Sequence, residues 1–283
     1  MRGWWQEISG LVLPAACGGC GIPRTPLCEE CAHELYGSAA RRATPDPEPD
    51  GMPEVHAAAG YVDAVRAVLL AHKERGVLGL ARPLGVALAG AVRAAVRDGW
   101  VSRGGVSCGG GRDGPEPDGG VLDAVGFSGA GLDGSVFDGG DEWQGAPLLL
   151  VPVPSARRAV RARGHDATRR IARAAAGELR RTGRQARALP VLRQLRPVAD
   201  QAGLTARERA ENVSGALSAV SGAGRLLAGG RVVLVDDLMT TGASLAEAAR
   251  ALGEALDEAG AGPWRAPVSA AVVAAPVSAL ALR

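Results

Sequence analysis

The chain has 283 residues, enough for one large domain or a domain with appendages, and a formal net charge of only +2. No apolar run approaches the roughly 20 residues needed to span a bilayer, so no transmembrane segment is expected. The near-neutral charge conceals an asymmetry. Residues 99–147 carry two arginines against eight acids, whereas residues 157–211 carry fifteen arginines against five acids, and so basic a surface suits a polyphosphate or a nucleic acid.

The first sixteen residues include Trp4, Trp5, Ile8, Leu11, Val12 and Leu13, but Glu7 and Ser9 interrupt the run, which is short for a secretory leader. A packed or interfacial N-terminal helix is expected instead, in a cytoplasmic protein whose cysteines stay reduced. Cys17-x2-Cys20 and Cys28-x2-Cys31 follow, with Gly18, Gly19 and Gly21 in or beside the first pair. Paired units of this spacing in a reducing compartment point to a compact, structural four-cysteine zinc knuckle, disulfide bonding being the competing reading. Residues 1–40 thus hold the helix and the knuckle. Residues 41–56 form a Pro- and acid-rich linker, and residues 57–283 the main domain.

An apolar-periodic run begins at Tyr61 and leads through Val62, Val65, Val68, Leu69 and Leu70 into Ala71-His72-Lys73-Glu74-Arg75-Gly76. Of the 32 basic residues, Lys73 is the one lysine. In a chain that elsewhere carries arginine, this lysine marks a place where a compact ammonium is needed, or an exposed helix end that the dipole favours. A second helix is expected over residues 80–96, with Gly85 and Gly90 as weak points. Residues 99–147 contain sixteen glycines and no sustained periodicity, which predicts a disordered or loosely folded acidic insertion. Cys108 lies within it and receives no role.

Leu148 to Val153 reads as an apolar strand stopped by Pro152 and Pro154, followed by a helix over residues 166–181 and a short strand over residues 189–192. Residues 193–213 read as a lid or as a plain helical connection. A last strand is expected over Val268–Ala274. Strands alternating with helices predict an α/β fold with a parallel sheet, whose ligands bind at the carboxyl ends of the strands.

The most specific segment runs from Arg231 to Ser244. Val232 to Val235 form a strand buried on both faces. It ends in Asp236 and Asp237, and Leu238-Met239-Thr240-Thr241-Gly242-Ala243-Ser244 leads into an Ala- and Leu-rich helix. Two acids can accept hydrogen bonds from vicinal ribose hydroxyls. A hydroxyl-rich turn at the positive end of a helix can hold a phosphate. The segment resembles the 5-phosphoribosyl-1-pyrophosphate (PRPP) signature of type I phosphoribosyltransferases.

Val151-Pro152-Val153-Pro154, Arg163-Gly164, Gln201, Arg207, Asn212-Val213 and Gly215-Ala216, with the knuckle and Lys73–Gly76, are together similar to the competence protein F (ComF) family. The resemblance implies a type I phosphoribosyltransferase-like parallel sheet flanked by helices. Its site would bind PRPP with Mg2+ through Asp236 to Ser244, with Lys73 as a partner for pyrophosphate and Asp236, Asp237 and Lys73 as the catalytic set. Arg75, Arg158, Arg163 and Arg207 are weaker candidates for pyrophosphate. The chain departs from the family at His165, Asp166 and Ala167, where an aromatic residue, Asn and Gln are usual. His165 is read as a cap or surface residue rather than a base. Family members are linked to DNA uptake, so the implied partners are PRPP, an unidentified acceptor, and single-stranded DNA or the uptake machinery. Transfer of a phosphoribosyl group, non-catalytic PRPP sensing and handling of single-stranded DNA are the three functions left open. The shortage of aromatic residues (five Trp, two Tyr, two Phe) speaks against a base-stacking platform.

Overall fold

The computed structural model of the chain describes residues 16–104, 145–198, 205–260 and 268–281. The expected N-terminal helix, residues 105–144 of the insertion with Cys108, and Gln201 lie outside the described residues. In chain order the elements are α1 (Glu29–Tyr36), β1 (Arg41–Ala43), β2 (Val55–Gly60), α2 (Asp63–Lys73), α3 (Ala81–Gly104), β3 (Leu148–Pro152), α4 (Arg157–Arg163), α5 (Ala167–Arg181), β4 (Ala186–Ala188), β5 (Leu192–Gln194), α6 (Ala206–Val213), β6 (Leu217–Ala219), α7 (Ala223–Leu227), β7 (Arg231–Leu238), α8 (Ala243–Glu258) and β8 (Ser269–Ala275). Single 3-10 turns lie at Leu78–Leu80 and Val277–Ala279.

Six strands form one sheet in the order β1-β2-β8-β7-β3-β4, parallel throughout except for β1, which pairs antiparallel with β2. The period of two along each strand divides the core. Leu148, Leu150, Val233, Val235, Ala271 and Val273 face one helix layer, built from α2, α3 and α5. Leu149, Val151, Val232, Leu234, Ala270 and Val272 face the other, built from α7 and α8. This is the expected mixed α/β fold with a mostly parallel sheet flanked by helices.

The parallel order also places a site. From β3 the chain crosses outward to the edge strand β4; from β7 it crosses in the opposite direction to β8. Connections that diverge from two neighbouring strands open a crevice outside their carboxyl ends. Pro152 to Pro154 and Asp236–Asp237 therefore border one crevice. The short β5–β6 ribbon is separate from the main sheet. It is tied to α8 through Glu247, whose buried carboxylate accepts the Leu217 N–H at 2.9 Å and the Arg250 Nε at 2.7 Å.

Several boundaries differ from expectation. The linker is not free chain throughout, because Arg41–Ala43 adds a strand to the sheet edge and the main domain already begins at Val55 within β2. Helix α3 continues to Gly104, through the start of the expected insertion. Gly85, expected to weaken that helix, marks a close approach: a Cβ there would lie 2.5 Å from the Ala174 Cβ of α5. Residues Leu78–Asp98 are long and apolar enough to cross a membrane by length and composition, which corrects the expectation that no run reaches that length. In the fold their apolar residues, among them Leu84, Leu88 and Val92, pack into the core. The single short strand expected over residues 189–192 is replaced by β4 and β5 on either side of it. Pro190 lacks the N–H that a ladder needs there.

Candidate functional site

Helix α2 ends where β7 ends, and the two elements meet through one ion pair. Lys73 Nζ lies 2.7 Å from Oδ2 and 3.1 Å from Oδ1 of Asp237, a bidentate contact with a carboxylate that is almost wholly buried. Burial pushes the Lys73 ammonium down, but the Asp237 and Asp236 carboxylates outweigh it and hold the group above the ordinary lysine value. Asp236, partly buried, is held well above the usual carboxylate range, first by burial and then by the charge of Asp237 beside it. Its Oδ1 accepts the Asp237 N–H at 2.8 Å and faces the Thr168 hydroxyl at 3.4 Å. Two adjacent acids, one of them paired with an ammonium, offer acceptors that can exchange that cation for another positive group or for ligand hydroxyls.

The turn after the acids supplies the complementary half. Met239 N–H donates to Ala274 O at 3.0 Å, and Leu245 and Ala246 N–H both donate to Gly242 O at 2.9 Å. Between them, the N–H groups of Thr240, Thr241, Gly242, Ala243 and Ser244 meet no acceptor among the described residues. Five successive donors at the amino end of a 16-residue helix, with the hydroxyls of Thr240, Thr241 and Ser244, can hold an oxyanion. Gly242 adopts a left-handed φ of 76°, and a Cβ on it would meet Met52 Sδ at once, with Pro45 and Pro49 close behind. The proline-rich connector is thus packed against the turn. Met239 turns its side chain into the core, 2% exposed, and Leu238 packs partly against the opposite layer. Neither contributes a side chain to the turn, whose donors are backbone and hydroxyl.

The four cysteines converge as their spacing predicts. The Sγ atoms of Cys17, Cys20, Cys28 and Cys31 lie within 4.8 Å of one another, and none is in a disulfide. Cys28 Sγ is 3.7 Å from that of Cys17 and 3.6 Å from that of Cys20. A tetrahedral zinc with Zn–S bonds of about 2.3 Å requires edges of about 3.8 Å, so the donor set fits zinc. Burial raises the Cys17 thiol, but amide groups of Cys20, Cys28 and Gly19 overcome it and bring the group down to about 6. The knuckle rests on α2. A Cβ on Gly19 would lie 3.2 Å from that of Ala64, and one on Gly18 would lie 3.6 Å from that of Ala71 and 2.7 Å from Leu80 Cδ1.

The remaining predicted residues separate into two groups. Arg163 and His165 reach the α2 end that carries Lys73. His165, expected as a cap or surface residue, is half-buried, with its ring nitrogens 3.1 Å from Arg163 O and 3.2 Å from His72 O, one of which it can donate to as a neutral ring. Asp166 caps α5, accepting the Arg169 N–H at 3.0 Å. Arg207 stands on α6, exposed and paired with Glu211 at 2.8 Å, and Arg158 is exposed on α4. Arg75 donates to Ala67 O at 3.3 Å, back along its own helix. Nothing in the sequence singles out Thr168 or Met52. A buried threonine in an arginine-rich helix and a methionine among prolines carry no pattern. A cavity of about 280 Å³ lies elsewhere, between β6, α7 and the second half of α8, bordered by Ser218, Arg225, Glu254 and Glu258. It includes none of the predicted site residues.

No protein-family model and no curated protein matches this chain. What defines it is the arrangement itself: a mostly parallel α/β sheet, an acid pair with a lysine at a diverging crevice, and a four-cysteine cluster that can hold a metal such as zinc.

Proposed function

We propose that the chain binds PRPP with magnesium at the carboxyl end of β7, as a ComF-like member of the type I phosphoribosyltransferases, and transfers the phosphoribosyl group to an acceptor. The observation that carries this reading is the adjacency of Asp236, Asp237 and Lys73 to five N–H donors at the start of α8 that meet no acceptor among the described residues. The acids take the two ribose hydroxyls. Thr240 to Ser244 take the 5′-phosphate, and Lys73 moves from Asp237 to the pyrophosphate. In the transfer a nucleophile bonds to the anomeric carbon as its bond to pyrophosphate breaks. The carboxylates stabilise positive charge on the sugar, and the ammonium stabilises negative charge on the leaving group. Magnesium, when bound with the ligand, neutralises phosphate charge while retaining waters. Zinc at the four cysteines has a structural part only.

Calorimetric titration of PRPP with magnesium tests the site. Binding to the wild type and its loss in Asp236→Asn and Asp237→Asn are expected, whereas equal affinity in all three overturns the proposal. Pyrophosphate release with a panel of nucleobases then separates transfer from ligand sensing. A second reading, contact with single-stranded DNA, has its own support. Arg157, Arg158 and Arg161 on α4 and Arg169, Arg170 and Arg173 on α5 are exposed, with no acidic partner among the described residues. Affinity that falls steeply with added salt is the signature of such a surface.

A further inference from the structure

A helix leaves the carbonyls of its last turn without intrahelical partners. At the end of α2 the chain's own turn satisfies two of them: Glu74 N–H donates to Leu70 O at 2.8 Å and Val77 N–H to Ala71 O at 3.0 Å. The next two, on His72 and Lys73, are met from elsewhere. His165 Nε2 faces His72 O at 3.2 Å, and Arg163 Nη1 donates to Lys73 O at 3.3 Å and to Glu74 Oε1 at 3.2 Å. Arg163 is itself fixed, its Nε donating to Ala159 O at 3.1 Å. A neutral His165 ring donates through one nitrogen, so when Nε2–H bonds His72 O, Nδ1 only lies beside Arg163 O, at 3.1 Å. Gly164, at φ 75°, ends α4 and turns the chain between them. The His165 ring also lies 5.8 Å from that of His72. Three residues further on, Thr168, 2% exposed, points its hydroxyl at Asp236.

We infer that Arg163 to Thr168 is a positioning element: Arg163 and His165 hold the end of α2 so that Lys73 meets Asp237, and Thr168 orients Asp236. One short stretch thereby acts on both members of the acid pair, although neither Arg163 nor His165 touches a carboxylate of that pair. A ligand that draws Lys73 off Asp237 moves only the side chain, since the backbone beneath it stays clamped. The inference deepens the reading of Lys73, Asp236 and Asp237 as one site.

Because Lys73 is the one lysine of the chain, labelling with 15N,13C-lysine gives a single Cε–Nζ correlation in the full-length protein, read without any ligand. Asp237→Asn should shift that signal and lower its titration midpoint. Arg163→Ala and His165→Ala should move it toward the Asp237→Asn position. His165→Gln, whose amide can still donate to His72 O, should remain near wild type, as should Arg187→Ala on the far edge of the sheet. Arg163→Gln provides the same readout should Arg163→Ala not fold. A Lys73 signal that coincides with wild type in both the Arg163 and His165→Ala variants overturns the inference. Failure of PRPP to bind overturns the proposed function instead and leaves this signal unaffected, so the two failures are distinguishable.

Discussion

Lys73 Nζ and the Asp237 carboxylate meet at 2.7 and 3.1 Å across 164 residues of sequence. Asp237 is 5% exposed at its side chain and Lys73 34%, so the two ends of the pair differ in solvation. Removing the ammonium strands a desolvated carboxylate, whereas removing the carboxylate leaves an ammonium that water can partly reach. Lys73→Met should therefore destabilise the fold by about 1–3 kcal/mol, less than a wholly buried pair because the exposed end is screened. Asp237→Asn should be milder. In urea titrations the double variant should be more stable than the sum of the single losses predicts. Strict additivity would show that the contact carries no coupling energy.

Gly242 should tolerate no side chain, for two separable reasons. Its left-handed φ of 76° costs an L-residue about 1–2 kcal/mol, and the Met52 sulfur occupies the place of the new Cβ. Gly242→Ala should lower the melting temperature, and Met52→Ala placed on top of it should restore part of the loss. The backbone strain remains after the sulfur has gone. Complete recovery would assign the whole effect to Met52, and no recovery would assign it to the backbone.

How much of this was legible in the sequence depends on what each residue touches. The β7–α8 segment could be read because a strand buried on both faces has no polar interruption, and its acids and glycine follow at once. The cysteine spacing encodes convergence directly. Strand β2, Val-His-Ala-Ala-Ala-Gly, could not be read, since alanine and glycine have little preference for strands and its burial comes from α3 and β8. Lys73 stood out by composition, but its partner did not, because nothing local in α2 refers to β7. Arg163 and His165 were the least legible. Their targets are backbone carbonyls of a helix 90 and 93 residues away, and a carbonyl has no sequence signature. The connector hid its strand for a similar reason, since β1 is three residues long among prolines and exists through its pairing with β2.

Ligand binding at the acid pair should be linked to a proton. Asp236 in the folded chain is raised above its unfolded value by burial and by Asp237. The unliganded fold therefore holds that proton more tightly than the unfolded chain, and on this account stability falls as pH rises from the ordinary carboxylate range through the raised value. Ribose hydroxyls donate more strongly to the carboxylate than to the neutral acid, so binding should release the proton and affinity for magnesium–PRPP should rise with pH over the same window. Titrations in two buffers of different ionisation enthalpy should give heats that differ by the proton released. Heats independent of buffer, with affinity flat in pH, would show that Asp236 binds already ionised.

The cysteine cluster should matter beyond its own loop because it is seated on α2. Gly18 and Gly19 lie against Ala71, Leu80 and Ala64, and α2 ends in Lys73. One zinc per chain is expected by elemental analysis, with affinity weakening as pH falls because the thiolates must stay deprotonated. Chelation, or Cys31→Ser, should raise amide hydrogen exchange first in the knuckle and α2 and only later in the α5 and β7 core. The last turn of α2 is the informative part. It is held from one side by the knuckle's contacts and from the other by Arg163 and His165. If those clamps suffice alone, exchange should rise near Ala64 and stay low near Lys73. Exchange rising uniformly through Lys73 would show that the metal, more than the clamp, sets the end of the helix. Unchanged exchange after full metal removal would show that the knuckle is fixed by packing alone.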